Sequence, residues 1–262
     1  MAFRSHKQQA ILEQEEDVSK ADLHNPQSRH LSQVTDSAYP LITDSEQLAA
    51  AEHFGVLRTR ILSAHARNGI RAVLLTSAQP EEGKSLISTN LAISLAQMEK
   101  YKILLADGDL RVRGITRLFK LQDKAGIGEF LSGSASFDSV VCGSGLPCLS
   151  LAGAGNVPPE SLAGLLQGEK WSEFIKEAKQ RFDLIIVDSV PVVAPIADFE
   201  LLQAACDGLL LIVHLHKTDR HALDRTVQQM NGKLLGLVIN NAEPEHGDNY
   251  YSYYYGRQKK AK

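Results

Sequence analysis

The stretch "AQPEEGKS" places Ala78, Gly83, Lys84 and Ser85 in the pattern A-x-x-x-x-G-K-S, with Gln79, Pro80, Glu81 and Glu82 inside it and Leu86 next. Those residue types at that spacing suit a phosphate anion. A tight turn aims backbone N–H groups at phosphate oxygens, a lysine reaches the terminal phosphates, and a small hydroxyl can ligate Mg²⁺. Ala78 stands where such loops usually have their first glycine, and Lys84 is expected to be a solvated ligand group. Three carboxylates have a matching placement. The apolar run "KILLA" leads into "DGDLRVRG", with Asp107 and Asp109 just past its end, and "LIIV" leads into Asp188 and "SVPVV". Ligands of α/β sheets bind beyond the carboxyl ends of the strands, so all three acids are expected to face the phosphate loop. There they can hold Mg²⁺, directly or through water, or accept a proton from an attacking hydroxyl. Arg111 can steady phosphate charge or pair with a neighbouring acid. The expected ligands are a nucleotide and Mg²⁺.

A second chemical feature is the terminal "NYYSYYYGRQKKAK". Five of the seven tyrosines in the chain, Tyr250, Tyr251, Tyr253, Tyr254 and Tyr255, fall within it. A tyrosine is a large apolar ring with a hydroxyl, usually half buried or at an interface. The cluster is either a docking surface for a partner or a set of substrate hydroxyls, and the tail alone does not choose between them.

These groups need elements to position them. From residue 70 onward short apolar runs alternate with helical stretches: "RAVLLTS", "KILLAD", "LSLAG", "FDLIIVD", "GLLLIVHL" and "LLGLVIN". Nearly continuous Val, Ile and Leu indicate strands buried on both faces, the mark of a parallel sheet covered by helices. The helix after the phosphate loop is expected to bury Ile87, Leu91, Leu95 and Met98, which recur at helical spacing. An earlier helix opens at "TDSEQLAAAEHFGVLRTRIL", where Thr43 and Glu46 match a capping box. The fold class is therefore α/β, a mostly parallel sheet with helices on both faces. Residues 1–42 are polar and read as a flexible arm, residues 43–245 as the P-loop domain, and residues 246–262 as the tyrosine-rich tail.

Composition excludes little else. A net charge of −3 and a pI near 6.3 offer no global reason for nucleic-acid binding. The basic end, Arg257 to Lys262, reads as a solvated terminus or a contact for an anionic membrane surface. The three cysteines, Cys142, Cys148 and Cys206, lack a metal or redox spacing and suit a reducing compartment. With no apolar signal core and no run of membrane-spanning length, a soluble cytoplasmic protein is expected. His214 and His216 would share one face of a strand, with His221 nearby, but a third ligand at a typical spacing is missing. "GSASFDSVVCGSG" reads as loop and turn, Trp171 as a packing residue, and Asn240 as a turn former or a neighbour of a nucleotide base.

The motifs "SAQPEEGKS", "ILLADGDLR" and "DLIIVDSVPV", in that order, resemble those of the bacterial tyrosine autokinases of polysaccharide synthesis. "GIGEFLSG", "GAGNVPPESLAGLL", "LLGLVIN" and the tyrosine cluster extend the resemblance over residues 46–256. It implies a P-loop NTPase three-layer sandwich, with Lys84 and Ser85 on phosphates and Mg²⁺, Asp107 as candidate base, and Asp109 and Asp188 serving the metal. It further implies ATP-dependent autophosphorylation of the tail tyrosines, regulating exopolysaccharide or capsule synthesis, chain length or export. A separate transmembrane polysaccharide co-polymerase adaptor would recruit the chain to the inner face of the plasma membrane. The wider P-loop group includes chromosome-partition and cell-division ATPases, which typically have a lysine where this chain has Gln79. A positioning ATPase of that kind and a non-catalytic nucleotide-dependent scaffold are the alternatives. Two departures from the kinase pattern stand out. "EHFGVLR" retains Glu52 and Arg58 but has Gly55 at the middle arginine of a ring-forming helix, so weaker self-association is expected. "DSVPV" lacks the first of two prolines, a change expected to matter little.

Overall fold

A computed structural model describes residues 48–166, 169–193, 196–230 and 232–242. The arm at 1–42, the capping box of Thr43 and Glu46, and the tail tyrosines fall outside these residues. The described chain opens with α1 (Leu48–Asn68), followed by β1 (Ala72–Ser77), α2 (Lys84–Ala96), β2 (Ile103–Asp107) and α3 (Gly114–Leu118). Next come α4 (Ile127–Leu131), α5 (Phe137–Val140), β3 (Val141–Gly143) and β4 (Leu149–Ala152). A 3₁₀ turn at Pro159–Ser161 leads to α6 (Leu162–Leu166), α7 (Lys170–Arg181), β5 (Leu184–Asp188) and α8 (Ile196–Ala205). The last elements are β6 (Gly208–His214), α9 (Arg220–Gln229) and β7 (Leu234–Asn240).

The strands form one sheet in the order β3-β4-β2-β5-β1-β6-β7. All pairings are parallel except β3 with β4. Every residue of β1, β2 and β5 is buried, as their unbroken apolar runs require. Alternation of side chains then splits each run between two cores. Val73 and Leu75 face α1, α2 and α3 through Ile61, Leu91 and Ile115, whereas Ala72 and Leu74 face the opposite layer with Phe174 and Phe199. Trp171 belongs to that second layer. Its ring stacks on Phe174 with centroids 5.6 Å apart, and its indole N–H donates to the Leu202 carbonyl at 3.2 Å.

Four local expectations are corrected. "GSASFDSVVCGSG" is not all loop: Phe137 and Val140 of α5 are buried in the core, and β3 pairs antiparallel with β4. Three residues are too short a run to show strand periodicity in sequence. β7 is not buried on both faces, because it is a sheet edge. Leu237 and Ile239 are exposed. Met98 is also exposed, since α2 ends at Ala96 before the fourth repeat of the apolar stripe. His214 and His216 do not share a strand face. β6 ends at His214, and His216 lies in the following turn with φ of 64°.

Sheet order positions the site. β5, although late in the chain, inserts between β1 and β2, so the loops leaving β1, β5 and β2 adjoin at one edge. Asp107 and Asp188 are register partners on adjacent strands.

Candidate nucleotide site

The chain turns after Ser77 and enters α2 at Lys84. Gly83 is the helix N-cap, left-handed at φ 91°, and no side chain caps the helix there. The first-turn amides of α2, without a side-chain cap and at the positive end of the helix dipole, suit an anion. Glycine is required at 83 for a second reason: a Cβ would sit 2.2 Å from Asn240 Nδ2. Ala78 is buried, Pro80 is exposed and Leu86 is half-buried. Lys84 is not the solvated group its sequence context suggested, being only 8% exposed. Its Nζ donates to Ser77 Oγ at 3.1 Å. Burial lowers its pKa, opposed by the charges of Asp188, Asp109 and Glu82.

Of the three acids, Asp188 meets Ser85, and the Asp109 charge acts on both Asp188 and Asp107. The Ser85 hydroxyl donates to Asp188 Oδ2 at 2.5 Å, leaving the buried Asp188 Oδ1 without a partner. Asp107 is wholly buried. Its Oδ2 accepts from the Thr116 amide at 2.8 Å and the Thr116 hydroxyl at 2.7 Å, while Oδ1 has no partner. Burial first, and then the Asp188 charge, push the Asp107 carboxyl up to about 8. Burial likewise raises Asp188 to about 6, against the pull of the Ser85 hydrogen bond and Lys84. Asp109 Oδ1 accepts from the amides of Arg111 and Val112, at 3.2 and 2.9 Å, which fixes its own loop.

An orphaned buried oxygen on Asp188, whose other oxygen accepts from the Ser85 hydroxyl, fits a hard cation. Among the described residues no group of three or more His, Cys, Asp or Glu forms a cage for a metal ion. Ser85 and Asp188 could hold such an ion, since the serine hydroxyl and the Asp188 carboxylate already meet.

The remaining sequence candidates divide. Arg111 Nε pairs with Asp198 Oδ2 at 2.7 Å, so its guanidinium is tied to the start of α8. Glu81 points outward near Lys217, whereas Glu82 is fully buried. The Gln79 amide donates to Glu82 Oε2 at 3.0 Å. Asn240 Nδ2 donates to the Glu82 carbonyl at 3.0 Å, which makes it a tie between β7 and the phosphate loop. Two contributors went unseen in sequence. Thr116 orients Asp107 and, through Oγ1, accepts the Ala154 amide at 2.7 Å. Gly114 lets the loop after β2 approach the phosphate loop, since a Cβ there would lie 2.3 Å from Ser85 Oγ. A glycine shortly after the acids was the available signal.

No family profile matches the chain. Curated relatives do. The chain is 34% identical over 218 residues to the tyrosine-protein kinase CpsD of Streptococcus agalactiae, covering 80% of this chain and 92% of that protein. It is 32% identical over 208 residues to the tyrosine-protein kinase YwqD of Bacillus subtilis, covering 78% of this chain and 86% of that one. Among solved structures, the kinase domain of the Escherichia coli tyrosine kinase ETK superposes with a TM-score of 0.66 at 26% identity, covering 74% of this chain and 78% of that one.

Proposed function

The chain belongs to the bacterial tyrosine-protein kinases, and from that premise we propose that it passes the terminal phosphate of ATP to the tyrosines of its own C-terminal cluster. Membership sets aside the positioning ATPase and the non-catalytic scaffold. In this reading the first-turn amides of α2 and Lys84 hold the phosphates, while Ser85, Asp188 and Asp109 hold Mg²⁺. The metal, when bound, neutralises charge on the transferring group. A tyrosine Oη attacks the γ-phosphorus, the bond to the β–γ bridging oxygen breaks, and ADP leaves. The phenol has a pKa of about 10, so its proton needs an acceptor. Asp107 is the candidate, through its unpartnered Oδ1, and Arg111, whose charge is shared with Asp198, would steady phosphate charge from the loop it shares with Asp109.

The observation that carries the choice of substrate is the exit point of the chain. Asn240, the last residue of β7, is hydrogen-bonded to the phosphate loop itself. The chain therefore leaves β7 at the active edge of the sheet, ten residues before the first tyrosine of the cluster. From Asn240 to Tyr250 the chain spans at most roughly 35 Å. That reach serves a neighbouring subunit, while entry to the chain's own site needs a sharp reversal, so transfer is mainly between subunits. No helix among the described residues is long and apolar enough to cross a membrane. A separate transmembrane adaptor at the inner face of the plasma membrane, and a role in exopolysaccharide or capsule synthesis, complete the proposal on the strength of the family resemblance.

The test incubates purified protein with ATP and Mg²⁺ and maps phosphorylated residues by mass spectrometry. Phosphate on Tyr250, Tyr251, Tyr253, Tyr254 or Tyr255 is expected, and phosphate elsewhere alone rejects the tail as substrate. Mixing a Lys84→Met chain with an active chain whose five tail tyrosines are Phe then separates the routes. An unmodified tail on the inactive chain, with self-modification of the natural protein at a concentration-independent rate, would place transfer within one chain.

A further inference from the structure

Glu82 is a carboxylate inside a loop built for anions, one residue before the Gly83 hinge. Its neighbour Glu81 takes the expected course and faces solvent, but Glu82 has an exposure of 0%. A buried charge persists only where it is paired or fully hydrogen-bonded. Here both oxygens are engaged. Oε2 accepts the Gln79 amide at 3.0 Å, and Oε1 accepts the hydroxyl of Thr218, in the connector between β6 and α9. Thr218 Oγ1 in turn accepts the amide of His214, the last residue of β6, at 2.9 Å. The backbone carbonyl of Glu82 accepts Asn240 Nδ2 at 3.0 Å. On the other side of the loop, Lys84 Nζ donates to Ser77 Oγ, which donates to the Gln79 carbonyl at 2.6 Å. Hydrogen bonds on either side of the Gln79 backbone thus link the end of β6, through Glu82 and the phosphate loop, to Lys84.

We infer that Glu82 is a positioning residue that braces the phosphate loop, and that Thr218 and Asn240 are its anchors on the β6–α9 connector and β7. The inference rests on the reading of this loop as the nucleotide site. Glu82 does not act as a base, because both of its oxygens are occupied and water does not reach it. Its amide partner, Gln79 N–H, is likewise held away from phosphate. The brace sets where Gly83 turns and where the α2 amides point before nucleotide arrives. Loss of it should weaken nucleotide binding more than it slows transfer from the bound complex, because the transferring acids sit on other strands.

The test compares the full-length protein with Thr218→Val, which keeps the side-chain shape and removes the hydroxyl, with Thr218→Ser, which restores it, and with Glu82→Gln. Binding of a non-hydrolysable ATP analogue with Mg²⁺ is measured by calorimetry, KM for ATP and kcat by tyrosine phosphorylation, and folding by thermal melting. A hydrogen bond to a buried charge carries enough energy that Thr218→Val should raise Kd and KM by roughly 10- to 100-fold, with kcat within about threefold. Thr218→Ser should recover most of the affinity, and Glu82→Gln should weaken binding even if it keeps the hydrogen-bond geometry. Unchanged analogue affinity in a folded Thr218→Val protein overturns the brace. So does a loss confined to kcat, or no recovery with serine. Failure of the unaltered protein to bind the analogue would instead overturn the nucleotide-site reading beneath it.

Discussion

Gly114→Ala should separate catalysis from stability. Gly114 is the first residue of α3 and has no positive φ, so its backbone admits alanine without strain. The obstacle is spatial. A Cβ at 114 would stand 2.3 Å from Ser85 Oγ, 2.9 Å from Ser85 Cβ and 3.5 Å from Asp188 Oδ2. Non-bonded carbon contacts settle near about 3.5 Å, so Ser85 or the loop after β2 must retreat by roughly 1 Å. Rotating Ser85 relieves the clash only by breaking its bond to Asp188, and moving the loop displaces Asp109 and Asp107. Either response shifts the proposed metal and phosphate ligands. A misplacement of that size can cost about 10²-fold in rate, or ~2.7 kcal/mol of barrier. Stability changes less. Overpacking costs about 1–3 kcal/mol, and replacing a helical glycine returns up to about 1. In a domain of this size the melting temperature should fall by less than about 8 °C. Initial rates of tyrosine phosphorylation at saturating ATP, with melts on the same preparations, make the comparison. A folded Gly114→Ala protein within about threefold of the natural rate would refute the geometric argument.

Other substitutions probe the remaining parts. Lys84→Met should abolish phosphorylation and leave the nucleotide-free fold at least as stable, since it removes a buried amine whose charged form burial disfavours; radiolabel transfer and thermal melting report the two effects. Asp107 has a folded pKa raised from 3.8 to about 8. Its contribution is therefore fully present near pH 4 and lost as pH rises through about 8, where the folded carboxyl must ionise. Urea unfolding in chelator, without nucleotide, should show stability falling from pH 5 to pH 8, and Asp107→Asn should flatten that slope; an unchanged slope counts against the assignment. Gly55 lies on α1 beside a groove of about 860 Å³ shared with α2, and a Cβ there meets nothing nearer than Arg58 Nη2 at 3.9 Å. Gly55→Arg should strengthen the helix by up to about 1 kcal/mol and strengthen self-association, and a stable ring of the natural protein in light scattering would contradict the weaker assembly expected.

Local chemistry was legible in the sequence because it is local. The turn, lysine and serine of the phosphate loop are consecutive, and each acid follows an apolar run whose composition announces a doubly covered strand. The six long strands and the alternation that sends Val73 and Leu74 to opposite cores need no more than that. What sequence left open depends on which segments become neighbours. Nothing in the chain order says that β5 lies between β1 and β2, yet that insertion puts Asp188 beside both Ser85 and Asp107 and buries both acids, which raises their pKa. Arg111 had two plausible partners until α8 brought Asp198 to it. Glu81 and Glu82 are identical in type and adjacent in sequence, and only the approach of the β6–α9 connector and β7 buries one of them while its neighbour stays in water. Residue type sets what a group can do. Its burial, its partners and its charge state come from contacts between segments far apart in the chain, and those form only when the sheet assembles.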